Sequence, residues 1–134
     1  MIYMDLGIFK AYDVRGKYPD ELNERVVFQI AEAMGKYFGA GSKIVIGRDA
    51  RLSSPSLYKA VLEGVKCQMF DVKCFEVGMI TTPMLYFLVN KLKADGGIMV
   101  TASHNPKEYN GLKIVGKKAV PMSGGEVKKL VIDN

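Results

Sequence analysis

The sequence is poor in cysteine and has no long apolar run. Its two cysteines, Cys67 and Cys74, lack metal-ligand spacing, which argues against a cysteine-built metal site and favours a reducing compartment. The longest stretch without a charged residue, 77–90, is interrupted by threonine and proline and is shorter than the roughly 18 apolar residues of a membrane span. The first ten residues lack the features of a secretory signal. We therefore predict a soluble, cytoplasmic protein with no membrane partner.

Repeats, linkers and low-complexity segments are also missing. With 134 residues, of which 49% are hydrophobic and 25% charged, the chain can build one ordinary core and is too short for two. A formal net charge of +5 would suit nucleic acid, an acidic surface or a phosphorylated small molecule. Because the lysines are dispersed, without interleaved aromatic residues or a nucleic-acid motif, we expect no nucleic-acid partner and assign most of them to solvated surface.

Helix and strand signals alternate through the middle of the chain. Every fourth residue from Leu22 to Phe38 is apolar, which predicts a helix that stops at Gly39. Buried strands are predicted at 43–47, covered on both faces, and at 97–101, and a further strand is predicted at 72–77, ending at Gly78. Helix starts are predicted at Ser54-Pro55 and Thr82-Pro83, with the serine and threonine as caps. This order predicts a single α/β domain with a mixed, largely parallel β-sheet sandwiched between α-helices.

The last third of the chain carries turn and cap signals. Asn110-Gly111 predicts a tight turn before a strand at 113–115, and 116–120 predicts a return of the chain, so we expect antiparallel pairing near one edge. The Ser-Gly-Gly-Glu sequence at 123–126 has capping-box spacing and predicts a final helix. Because the sequence ends with this helix, we expect the chain to be part of a longer protein. A natural C-terminal helix packed on the sheet is the alternative.

The only histidine lies in the segment Thr101-Ala102-Ser103-His104-Asn105-Pro106, after the predicted strand 97–101. The carboxyl end of a buried strand is the usual ligand position in α/β sheets. Ser103 is a poor candidate for a hydrolase nucleophile, because neighbouring side chains on an extended segment point to opposite faces and no Gly-x-Ser-x-Gly elbow is present.

A serine that carries a phosphoryl group fits this segment better. Phosphoryl transfer asks the protein mainly for positioning and for cations that stabilise charge. Candidate cations lie near predicted strand ends or in turns: Arg15, Arg48, Arg51 and Lys113. A hydroxyl also needs help to lose its proton, and the residues alone leave that helper open.

Four separated blocks resemble the first domain of the α-D-phosphohexomutases. The blocks are Phe9-Lys-Ala-Tyr-Asp-Val-Arg-Gly16, Gly47-Arg-Asp-Ala-Arg-Leu-Ser53, Gly78-Met-Ile-Thr-Thr-Pro-Met84 and Gly97-Ile-Met-Val-Thr-Ala-Ser-His-Asn-Pro106, the last followed by Tyr109-Asn-Gly-Leu-Lys113. The resemblance runs almost end to end. The Tyr-Asp-Val-Arg-Gly form of the first block is similar to the phosphomannomutase and phosphoglucomutase branch, and a phosphoglucosamine mutase domain is the alternative.

The resemblance implies a chemical role for Ser103. It would be the phosphorylated residue, which moves phosphate between O1 and O6 of a hexose phosphate through a hexose bisphosphate. Its phosphate oxygen would also bind Mg²⁺, a cation that prefers oxygen ligands. Lys113 would transfer a proton or contact phosphate.

Four further residues receive supporting roles from the same resemblance. Arg15 and His104 would shape and polarise the site, and Tyr12 and Asn105 would support them. The ordinary alternatives are solvated surface cations for Arg15 and Lys113, and loop hydrogen bonding for His104 and Asn105.

Three motifs of the resembled family are missing from residues 1–134. These are an Asp-Gly-Asp-x-Asp-Arg metal loop, a Gly-Glu-x-Ser-Gly-His sugar loop and an Arg-x-Ser-Gly-Thr phosphate loop, all of which belong to later domains. We therefore expect the remaining domains of a parent enzyme as partners. The isolated chain should fold, bind Mg²⁺ weakly if at all, and not turn over, since it lacks the groups that orient the substrate. The alternative from another class is a single-domain module that binds an anion without chemistry.

Overall fold

The computed structural model describes residues 3–67 and 71–134, in which five strands form one sheet. The strands are β1 (Val14–Lys17), β2 (Lys43–Arg48), β3 (Lys73–Met79), β4 (Gly96–Val100) and β5 (Tyr109–Val115). The helices in these ranges are α1 (Glu24–Phe38), α2 (Ser54–Lys66), α3 (Thr82–Lys91) and α4 (Gly124–Ile132), with 3₁₀ turns at Leu6–Ile8 and Lys117–Ala119. No helix in the described ranges is long and apolar enough to cross a membrane.

The sheet has the strand order β1-β5-β4-β2-β3. Strand β2 runs parallel to both β3 and β4, whereas β5 runs antiparallel to both β4 and β1. Helices α1, α2 and α4 pack on one face and α3 packs on the other. The predicted α/β fold, with a mixed sheet between helices, is confirmed.

Strand β2 shows why both faces of the sheet are covered. Ile44 and Ile46 are fully buried in the larger core under α1 and α2, while Val45 is fully buried in the smaller core under α3. Fully burying a side chain of this size contributes about 1.5–3 kcal/mol. The strand predicted at 43–47 is therefore confirmed, including its burial on both faces.

Helix α1 is the element that the sequence pattern predicted best. Its start is capped by Asn23, whose side chain accepts a hydrogen bond of 3.0 Å from the Val26 N–H. Its end lies at Gly39, whose φ of 88° is readily adopted only by glycine. Close approach to α2 depends on Gly35, because a Cβ there would overlap the Val65 carbonyl oxygen. The helix begins two residues later than predicted, after the buried Leu22.

The starts of α2 and α3 differ from the predicted ones by one residue. The residue before α2 is Ser53, not Ser54, and the residue that caps α3 is Thr81, whose side chain accepts a hydrogen bond from Met84 N–H. Both prolines therefore stand second in their helix. This costs little, because none of the first four N–H groups of a helix has a partner within the helix. The capping box predicted at 123–126 is confirmed.

The predicted turn at Asn110-Gly111 is wrong, because both residues lie inside β5. Asn110 is fully buried, and Gly111 stands opposite Arg15 of β1. A Cβ on Gly111 would overlap the Val14 carbonyl oxygen, so the glycine is required by the close approach of β1 and not by a turn. Strand β1 itself was not predicted, because its four residues are too few to show an alternating pattern.

Two further strand predictions need adjustment. Strand β3 does not end at Gly78 but continues to Met79; Gly78 has a φ of 67° and lies at a shift in the register with β2. The reversal of chain direction predicted at 116–120 takes the form of a 3₁₀ turn, followed by a single β-bridge between Val115 and Pro121. The antiparallel pairing expected near one edge comes instead from β5.

Glu24 links the start of α1 to α2 and to the preceding turn. Its Oε2 accepts hydrogen bonds of 2.6 Å from the Tyr18 hydroxyl and 2.5 Å from the Ser56 hydroxyl. Burial acts to raise the pKa of Glu24, but the hydrogen bonds from Ser56, from Tyr18 and from the main chain together outweigh it, so the pKa lies below the ordinary value of 4.5.

The link predicts a pH-dependent contribution of Glu24 to stability. A lowered folded-state pKa stabilises the fold at pH values above the ordinary pKa, and this contribution is lost as the pH falls through the folded-state pKa. Glu24→Gln should therefore be less stable than the wild type at about pH 6, and the difference should shrink towards about pH 3. Urea unfolding across this range measures it, with the exposed Glu63→Gln as the matched control. A difference that stays constant with pH would contradict the prediction.

Candidate functional site

The serine loop lies at the carboxyl end of β4, as predicted, and leads directly into β5. Thr101 is buried and anchors the loop, because its N–H donates to the Gly111 carbonyl and its Oγ1 accepts a bond of 3.0 Å from the Ser103 N–H. Asn105 donates to the Ala102 carbonyl through both its N–H, at 3.0 Å, and its Nδ2, at 2.8 Å. These bonds close a tight polar loop around an exposed Ser103.

Ser103 has an unusual backbone conformation. Its φ is 54°, in the left-handed region that residues with a Cβ rarely adopt. Its hydrogen bonds in the described part of the chain run through the main chain, to Thr101 and Arg51. The hydroxyl is therefore left at the rim of the sheet, and among the described residues no hydrogen bond between Ser103 and His104 supports a hydrolase pair.

A charged cluster lies beside this loop, around the carboxylate of Asp13. Asp13 Oδ1 is 2.9 Å from Arg15 Nε, and Asp13 Oδ2 is 3.5 Å from Lys113 Nζ. Arg15 Nη1 also donates to Asn105 Oδ1 at 3.2 Å, which joins the cluster to the serine loop. Two cations share one anion, so the cluster keeps an excess of positive charge. The structure thus brings together Arg15, Lys113 and Asn105, three of the predicted site residues.

Asp13 is a residue of this cluster that the sequence analysis did not select. Its side chain is only 7% exposed, whereas those of Arg15 and Lys113 are 33% and 25% exposed. A buried carboxylate is stable only when it is paired, and here its two oxygens orient two cations. Its position inside the Tyr-Asp-Val-Arg-Gly block was the available signal.

The side chains of Tyr12 and His104 are both exposed. Tyr12 is 81% exposed, and His104 is also exposed in the loop. Neither is drawn into the cluster around Asp13, so their predicted supporting roles depend on contacts with a ligand or with further parts of a parent protein.

Arg51 is placed differently from the predicted role of a cation facing the phosphoryl group. Its side chain is 14% exposed, and Nη1 and Nη2 donate to main-chain carbonyl oxygens of the serine loop. Its Nε lies 3.3 Å from Asp49 Oδ2. The other candidate from this block, Arg48, donates to the Asp49 carbonyl at 3.1 Å. The guanidinium of Arg51 is therefore occupied by the main chain of the loop and does not face a phosphoryl group in front of it.

The buried Asn110 connects this arrangement to the sheet. Its Nδ2 donates to Ser53 Oγ at 2.8 Å and to Ser54 Oγ at 2.9 Å. The Ser54 hydroxyl in turn donates to Asp49 Oδ1. Ser54 is the first residue of α2, and its hydroxyl binds this carboxylate and does not cap the helix as predicted. A continuous chain of polar contacts therefore runs from β5 to Asp49.

The described residues do not form a complete metal site. Within 3–67 and 71–134 there is no group of three or more His, Cys, Asp and Glu side chains that could hold a metal ion. Two carboxylates beside the loop are already engaged, Asp13 by Arg15 and Lys113, and Asp49 by Arg51. Mg²⁺ prefers six oxygen ligands in near-octahedral geometry, which these side chains cannot supply.

Known proteins resemble this chain in both sequence and structure. The sequence model of the protein family "phosphoglucomutase/phosphomannomutase, α/β/α domain I" matches residues 6–132. A phosphomannomutase from Klebsiella pneumoniae is 43% identical over 133 residues, covering 96% of this chain and 83% of that relative. A solved structure of a phosphoglucomutase/phosphomannomutase family protein from Burkholderia thailandensis has a TM-score of 0.85 at 33% identity, covering 98% of this chain and 31% of that one.

Other relatives are much longer than this chain. Phosphohexose mutases from Xanthomonas campestris are 45% identical over 120 residues, which cover 90% of this chain and 26% of the relative. The chain therefore spans about a quarter of the length of these relatives. From the family match and the extent of the alignments, the chain belongs to the phosphoglucomutase/phosphomannomutase family, and residues 6–132 correspond to its α/β/α domain I.

Proposed function

We propose that this chain is the phosphoserine-bearing first domain of a phosphomannomutase/phosphoglucomutase. Ser103 would carry the phosphoryl group that moves between O1 and O6 of a hexose phosphate, through a hexose bisphosphate. The observation that carries the proposal is the exposed Ser103 on an anchored loop, joined through Asn105 to the cluster of Arg15, Asp13 and Lys113. Phosphoryl transfer depends mainly on such positioning and on stabilised charge.

In the proposed reaction, the bond between Ser103 Oγ and phosphorus breaks while a sugar hydroxyl oxygen forms a bond to the same phosphorus. The reverse transfer, from the other end of the bisphosphate, restores the phosphoserine, so the enzyme ends unchanged. Arg15 and Lys113 would stabilise the negative charge on the transferred group. Lys113 would also contact the phosphate or carry the proton of the sugar hydroxyl to Ser103 Oγ. Asp13 would hold both cations in place.

The remaining parts of the site would come from outside this chain. One oxygen of the Ser103 phosphate is proposed as a ligand of Mg²⁺, which would supply charge neutralisation when bound. Its other ligands, and the groups that hold the sugar, would lie on further domains of a parent enzyme. Tyr12 and His104 are exposed and would contact such a substrate.

Mapping the phosphate tests this proposal. The parent enzyme is incubated with glucose 1,6-bisphosphate and Mg²⁺, digested and analysed by mass spectrometry. The expected result is phosphate on Ser103, whereas phosphate on another residue, or on none, would reject Ser103 as the carrier. The 134-residue chain alone, treated in the same way, is the control. It should remain unlabelled, because the groups that orient the bisphosphate are missing.

A further inference from the structure

The conformation of Ser103 needs an external support. A φ of 54° is unfavourable for serine, and the exposed loop buries too little apolar surface to impose it by packing. Thr101 and Asn105 contribute local hydrogen bonds, but both belong to the same segment as Ser103. Two side chains from other elements reach the loop: Arg15 of β1, which donates to Asn105 Oδ1, and Arg51.

Arg51, between β2 and α2, contacts the loop through four of its five guanidinium N–H donors. Nη2 donates to the carbonyl oxygens of Ser103 at 2.9 Å and Asn105 at 2.7 Å. Nη1 donates to those of Pro106 at 2.8 Å and Tyr109 at 3.1 Å. Nε donates to Asp49 Oδ2 at 3.3 Å. One planar group therefore holds the loop from its serine to the first residue of β5.

The guanidinium of Arg51 is itself held in place by a chain of hydrogen bonds through Asp49. Asp49 accepts from Arg51 Nε and also from the Ser54 hydroxyl, which accepts from the buried Asn110. Asn110 lies on β5, the strand that also carries Lys113. Movement of Arg51 would thus disturb the spacing between the serine loop and the strand that carries Lys113.

We propose that Arg51 is a positioning residue, which holds Ser103 in its left-handed conformation and sets its distance from Lys113. It acts through the main chain of the loop and does not contact the phosphoryl group. The conformational part of this inference is independent of the chemistry, while its effect on phosphoryl transfer rests on the proposed function. Misplacement of a reacting atom by about 1 Å can reduce a rate by about 100-fold.

The conformational part is tested on the 134-residue chain by NMR. Backbone chemical shifts and residual dipolar couplings report the φ of Ser103, and amide exchange reports the stability of the loop. Arg51→Lys keeps the charge but has one nitrogen, which cannot reach four carbonyl oxygens. We expect it to lose the left-handed conformation and to show loop amide exchange at least about tenfold faster, with the sheet unchanged. Arg25→Ala, at an exposed position on α1, should leave the loop as in the wild type.

An unchanged Ser103 conformation in Arg51→Lys would overturn the inference. The lysine variant is used here because it perturbs the fold less than the alanine variant, Arg51→Ala, which the test on the parent enzyme uses.

The functional part is tested on the parent enzyme by following the phosphorylation of Ser103. In Arg51→Ala the rate should fall by about 100-fold, KM should change little, and added guanidinium ion should restore part of the rate. A merely structural defect would lower the melting temperature without rescue by guanidinium, and that result would overturn a positioning role. If the wild-type enzyme carries no phosphate on Ser103 while the NMR result holds, the proposed function fails and the conformational role of Arg51 stands.

Discussion

Replacing Ser103 with alanine in the parent enzyme is expected to abolish mutase turnover and to leave the melting temperature almost unchanged. The hydroxyl is the proposed phosphoryl acceptor, so its loss removes the covalent step and should cost roughly four orders of magnitude or more in rate. The side chain is exposed, and within residues 3–67 and 71–134 the hydrogen bonds of Ser103 use only its main chain, so stability should change by no more than about 0.5 kcal/mol. Steady-state conversion of hexose phosphate and thermal unfolding measure the two effects.

A second variant at the same position separates chemistry from backbone strain. Ser103→Gly also lacks the hydroxyl and should be equally inactive. Glycine adopts a φ of 54° without steric cost, so this variant should be more stable than Ser103→Ala by about 1 kcal/mol. Mutase activity retained in either variant would count against Ser103 as the carrier.

Gly111→Ala should be among the most destabilising single substitutions in this domain. Its Cβ would overlap the Val14 carbonyl oxygen at the point where β1 pairs with β5. Relief of the overlap requires the two strands to separate, which should reduce the free energy of unfolding by about 3 kcal/mol and displace Arg15 from the loop. Urea unfolding of the 134-residue chain measures the loss.

Gly125→Ala is the matched control for this substitution. Gly125 lies in the first turn of α4, it is exposed, and the nearest atom to an added Cβ is 3.8 Å away. Alanine is the better helix former and should raise stability by up to about 1 kcal/mol. If the two variants were equally stable, the close approach of β1 and β5 would not be the reason for glycine at 111.

The elements that could be predicted from the sequence are those whose signals are local. The apolar stripe of α1, the β-branched run of β2 and the capping box of α4 each depend on neighbouring residues, and each is confirmed. The serine loop was also placed correctly, because it follows β4 directly in the chain. Local sequence patterns are thus sufficient to predict an element where the tertiary packing favours the same structure.

The errors arose where tertiary contacts override a local signal. Asn110-Gly111 is a strong turn pair by residue type, yet β1 approaches on one side and Ser53 and Ser54 accept hydrogen bonds on the other. The positions of three candidate cations, Arg15, Arg51 and Lys113, likewise depend on partners far away in the chain. Arg51 binds the main chain of a loop more than 50 residues later. Only the structure therefore shows that its role differs from that of Arg15, which lies in the charged cluster.

The way in which Arg51 holds the loop has a consequence for tolerance to mutation. Because its donors contact carbonyl oxygens, which every residue has, the support depends little on which side chains the loop carries. Exposed positions such as Lys107 and Glu108 can therefore be exchanged without moving the serine. These two positions are suitable for attaching a fluorescent or affinity label next to the reactive centre, and they are places where natural variants can diverge in surface chemistry while the geometry stays the same.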